Sequence, residues 1–124
     1  MDGAALPLFA AWRAMPVPDS APGAQAAVML HLLHEQRLGV HVVAVRASGL
    51  TPLQAIIAGP EGETGAVAFG WQPPYPSAGP IVRRLMWADS VADALAGQAY
   101  ATLDMAERIE LVGLLESLSQ RLAR

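Results

Sequence analysis

The chain contains no cysteine, no lysine and no asparagine. The first absence excludes disulfides, thiolate metal sites and a cysteine nucleophile together, and is compatible with a reducing compartment. The second leaves arginine as the source of all eight basic side chains. Lysine and asparagine both use AA-starting codons, so their joint absence beside abundant Ala, Gly, Pro and Arg points to GC-rich coding and a bacterial source. Charge is sparse as well: 15% of residues are charged, the net charge is −3 and the pI lies near 5.5. That balance argues against the concentrated basic face a phosphate-backbone binder needs. Arg83 and Arg84 are the only adjacent basic pair, so no nucleic-acid partner is expected. No segment reaches the ~18 apolar residues needed to span a bilayer, and no membrane partner is expected. The apolar patch at residues 4–12 is as long as a signal-peptide core, but Asp2 stands where a basic n-region would be and Pro7 interrupts the run. A cytoplasmic location is the expectation.

What is present is an apolar chain of one domain's length: 124 residues, 53% hydrophobic. The connector "AMPVPDSAPG" is too rich in proline for a helix interior, so residues 1–23 read as an arm and connector and residues 24–124 as a single α+β domain. Phe9 and Trp12 give the arm an apolar side that can fold back over the core. Residues 24–38 have helical periodicity, with Val28, Met29, Leu32 and Leu33 on one side and Gly39 as the stop. "VHVVAVRA", "PLQAIIA" and "GAVAFGWQ" are short β-branched or aromatic runs divided by turn material, which predicts an antiparallel meander.

"IVRRLMWADSVADALAG" predicts a helix from Pro80 to Gly97, with Ile81, Leu85, Ala88, Ala92 and Leu95 on one side. The alternative is a strand "IVRRLMW" followed by a helix capped at Ser90 and Asp93. The last segment predicts a helix opened by an Asp104/Glu107 cap and closed near Arg121 and Arg124. Its apolar arc is wider than one packed face requires. The expected fold is therefore α+β, in the order α-β-β-β-α-α, with a three-stranded antiparallel sheet and helices mainly on one face.

Chemistry candidates are few. "HLLHEQRLGVH" places His31, His34, Glu35 and His41 within eleven residues, a set that could ligate a divalent metal in an enzyme or sensor. Its order is neither H-E-x-x-H nor H-x-x-E-H, and His31 and Glu35 are also spaced as an ordinary i,i+4 pair, so a polar helix face is expected and no metal or other cofactor. There is no G-x-S-x-G elbow and no G-K-[ST] phosphate loop. Glu61 and Glu63 sit in "GPEGETG", which reads as a solvated hairpin turn. "WQPPYP" resembles a polyproline ligand but reads better as a rigid turn, with Trp71 and Tyr75 packed on the core.

With no catalytic constellation, the expectation is a non-enzymatic protein-binding protein: a small chaperone, adaptor or assembly factor. It would act as a homodimer, binding another protein through Met105, Ile109, Val112, Leu115, Trp71 and Tyr75. In size, acidity and C-terminal amphipathic helix, the whole chain resembles small bacterial secretion chaperones. That resemblance implies a homodimeric, non-catalytic protein, and it implies further strands before the last helix.

Overall fold

A computed structural model describes residues 6–123; Asp2 and Arg124, invoked above, lie outside them. The element order is α1 (Pro7–Arg13), α2 (Pro22–Ala47), α3 (Pro52–Ala58), α4 (Gly62–Ala68), α5 (Gly79–Gly97), a 3₁₀ turn (Gln98–Tyr100) and α6 (Met105–Leu122). Among the described residues there is no strand. The α+β expectation and its three-stranded sheet are thus overturned by an all-helical fold.

The reason lies in burial. "VHVVAVRA" is the second half of α2, where Val40, Ala44 and Val45 recur at helical spacing and are all buried. β-branched residues cost only a few tenths of a kcal/mol each in a helix, less than one buried side chain returns. Gly39, expected as a stop, lies inside α2 with an ordinary negative φ; the left-handed residue that ends the helix is Gly49, at φ 77°. "PLQAIIA" is α3 itself, and "GAVAFGWQ" supplies the end of α4 and the turn after it.

α2 and α5 form the central pair. Val40, Ala44 and Val45 from α2 meet Ile81, Leu85, Ala88, Ala92 and Ala96 from α5 in one buried cluster completed by Leu50 and Leu6. Alanine at 88, 92 and 96 keeps the seam narrow, so the axes can approach closely. The helix expected from Pro80 is present as one uninterrupted element, so the alternative with a strand is excluded. Arg37 Nη2 contacts Asp93 Oδ1 at 2.9 Å and His41 Nδ1 contacts Asp89 Oδ1 at 3.3 Å across the rim of this seam. Both pairs are well exposed and contribute little to stability; they report register.

The arm folds back: α1 packs along α2, and Leu6 at its N-cap is buried against Gly39. A Cβ at Gly39 would come within 2.6 Å of Leu6 Cδ2, so the missing side chain makes the notch that Leu6 fills.

α6 stands apart. Its start is fixed by the expected capping box, in which the Glu107 N–H donates to Asp104 Oδ1 at 2.9 Å and the Asp104 N–H to Glu107 Oε2 at 2.8 Å. No residue of this helix is buried. Gly113 sits in its interior, with nothing within 4 Å of where a Cβ would be. Glycine there costs about 1 kcal/mol relative to alanine. Gly113→Ala should therefore slow amide exchange in the middle of α6 about fivefold, the equivalent of that energy. Because no residue of α6 is buried, the global melting temperature should stay nearly constant; unchanged exchange would refute this account.

Candidate functional site

The expected metal set does not assemble. His31 Nε2 lies 3.6 Å from Glu35 Oε1, too far for a hydrogen bond, and its ring meets Trp12 edge-on with centroids 4.3 Å apart. His41 turns to Asp89 across the α2–α5 seam, and His34 is exposed. Among the described residues no group of three or more His, Asp or Glu side chains could hold a metal ion. The alternative of a metal-dependent enzyme or sensor built on His31, His34, Glu35 and His41 is withdrawn on that geometry.

The residues expected to bind a partner fall on two separate elements. Met105, Ile109, Val112 and Leu115 lie along α6, the first three more than half exposed and Leu115 less so. Trp71 and Tyr75 are half-buried in the loop before α5, where the Tyr75 hydroxyl donates to the Trp71 carbonyl at 2.8 Å.

A more organised feature lies at the end of α2. The Ser48 hydroxyl donates to the Val45 carbonyl at 2.7 Å, the Leu50 N–H to the same carbonyl at 3.2 Å, and Gly49 takes the positive φ that reverses the chain. Leu50, 1% exposed, pins the turn to the core. α3 then leaves at 103° to α2. Its first turn is closed by a second capping box: the Gln54 N–H donates to Thr51 Oγ1 at 3.2 Å and the Thr51 N–H to Gln54 Oε1 at 2.9 Å, with Pro52 at the first helical position.

Residues 59–61 link α3 to α4, which turns back onto α3. Gly65 and Ala66 are the buried residues of α4, and their small size sets the close approach: a Cβ at Gly65 would lie 3.0 Å from Ile56 Cγ2. The opposite side of α4, with Glu63, Thr64 and Val67, is exposed. "GPEGETG" is thus an interhelical turn running into a helix, where a hairpin loop was expected. No basic residue occupies positions 47–82, while Glu61 and Glu63 carry negative charge at the start of α4.

One signal for this unit was present in the sequence and missed. "TPLQ" at positions 51–54 has the S/T-x-x-Q spacing of a capping box with proline just after the cap, a helix-start signature where a strand was expected.

Two helices near 90–120°, joined by a turn of about three or four residues that often contains glycine, define a helix-turn-helix. The α2–α3 junction has that geometry, and α3, residues 59–61 and α4 repeat the helix, short glycine-containing turn and helix connectivity, with α4 as the second helix of that unit. A helix-turn-helix family model matches residues 1–78, which contain α1 to α4. No curated protein matches the chain, and neither does any solved structure. The match overturns the expectation of a protein-binding chaperone, adaptor or assembly factor, and with it the expectation that nucleic acid is not a partner.

Proposed function

The chain belongs to the helix-turn-helix family, and from that premise we propose that it is a DNA-binding regulator in which α4 enters the major groove of a duplex. The family match over the segment that folds as α1 to α4 carries this reading. Size is compatible with it: an α-helix with its side chains is about 10–12 Å across, against a groove about 12 Å wide. Exposure supports it. Glu63, Thr64 and Val67 face outward, and their chemistry suits base edges: a carboxylate accepts from the cytosine amino group, a hydroxyl serves either base type, and an apolar methyl meets the thymine methyl.

Selection from a random duplex library, followed by fluorescence anisotropy on the enriched sequence, tests the reading. An enriched site is expected to bind more tightly than scrambled duplex. Thr64→Ala and Val67→Ala should each relax discrimination at one base position by about fivefold, the equivalent of about 1 kcal/mol. Failure to retain any duplex at low salt would overturn the proposal.

A further inference from the structure

The register of α2 against α5 is reported by two side-chain pairs. Moving four residues forward on α2, from Arg37 to His41, moves four residues back on α5, from Asp93 to Asp89. The helices are therefore antiparallel, and one further turn brings Val45 level with Leu85, both of them in the buried cluster. The next positions place Arg46, in the last turn of α2, at the same end of the bundle as Arg83 and Arg84, in the first turns of α5. That is the end from which residues 48–51 lead into α3.

Three of the eight arginines thus share one end of the molecule. All three are exposed, and none takes part in an ion pair among the described residues. The acids of the seam, Asp89 and Asp93, lie further along α5 and are already occupied by His41 and Arg37. The α3–α4 unit has no cation of its own, and Glu61 and Glu63 repel phosphate at its tip. A duplex approaching α4 needs positive charge from outside that unit.

We propose that Arg46, Arg83 and Arg84 are the phosphate-contacting residues that flank α3–α4 on a duplex, so that the DNA-binding surface extends into α5, beyond the segment matched to the family. This rests on the DNA-binding reading above. Arg46 stands on one helix of a packed pair and Arg83 and Arg84 on the other. With axes about 8–10 Å apart and the side chains reaching outward, the span suits phosphates on both sides of a groove about 12 Å wide. Such contacts fix the protein's position without reading sequence.

The test compares the full chain with a triple variant, Arg46→Gln, Arg83→Gln and Arg84→Gln, and with a control of equal charge change, Arg13→Gln, Arg108→Gln and Arg121→Gln. Anisotropy of labelled selected and random duplexes is followed across salt concentrations, with circular dichroism to confirm the fold. Wild-type binding should fall with salt at a log–log slope of about −2.7, as three phosphate contacts imply. The site variant should bind every duplex at least about tenfold more weakly, with its slope moved toward zero, while the control stays near wild type. If the triple variant loses helicity, the single Arg46→Gln and Arg83→Gln changes should each reduce the slope by about one unit. A site variant that binds like wild type, or a control that weakens equally, overturns this inference alone. A wild-type protein that binds no duplex overturns both it and the DNA-binding reading.

Discussion

Leu50→Ala should lower the stability of the protein by about 2–5 kcal/mol and its melting temperature by on the order of 10 °C. Among the described residues Leu50 is the largest side chain with essentially no exposed surface, and it belongs to the cluster that joins α2 to α5. It also sits in the turn at the start of α3, where its N–H donates to the Val45 carbonyl. Truncation would leave a cavity that its neighbours can fill only by moving the turn, so the transfer loss and the cavity cost add. Urea unfolding followed by circular dichroism measures the loss. The comparison is Leu114→Ala on α6, where a side chain already 62% exposed should cost no more than about 0.5 kcal/mol. Equal effects from the two substitutions would mean that the core is not where the structure places it.

The contrast between those two leucines also shows what the sequence could and could not disclose. Helices α5 and α6 were legible because each has a long apolar period and clear ends: Pro80 near the start of one, the Asp104/Glu107 box at the start of the other. The second half of α2 was not. Val40, Val42, Val43 and Val45 form a run whose local preference is extended, and only the α5 seam, remote in sequence, makes helix the better state. Gly39 misled for a related reason. A glycine at a helix end and a glycine that admits a neighbour look alike in one dimension, and the neighbour, Leu6, arrives from the arm.

The short helices α3 and α4 fell below the length at which periodicity separates helix from strand, although the Thr51/Gln54 cap was readable. The candidate site suffered most from these errors, because it is built from the segments taken for strands. Its cations were hidden too. Arg46 and Arg83 are far apart in sequence and come to one end of the molecule only through the antiparallel register of α2 and α5.

Gly65→Leu should separate the integrity of α4 from that of the rest of the fold. The space at this position is already tight: a Cβ would meet Ile56 Cγ2 at 3.0 Å, Glu61 Cβ at 3.1 Å and Glu61 Oε2 at 3.2 Å. A leucine places three more carbons in the same gap, and overpacking of this kind costs about 1–3 kcal/mol. α4 packs chiefly on α3, so the cost falls on that contact and not on the α2–α5 core. The expected result is faster amide exchange across α4, with thermal unfolding of the core changed by only a few degrees, and at least about a tenfold loss of duplex affinity, the equivalent of about 1.4 kcal/mol of that penalty. Gly97→Leu is the matched control, since a Cβ at Gly97 meets nothing within 4 Å. It should leave exchange in α4 and DNA binding as they were. Should Gly65→Leu loosen α4 while duplex affinity holds, α4 would not be the element that enters the groove, and the reading face would have to be sought on α3 and the turn at residues 48–51.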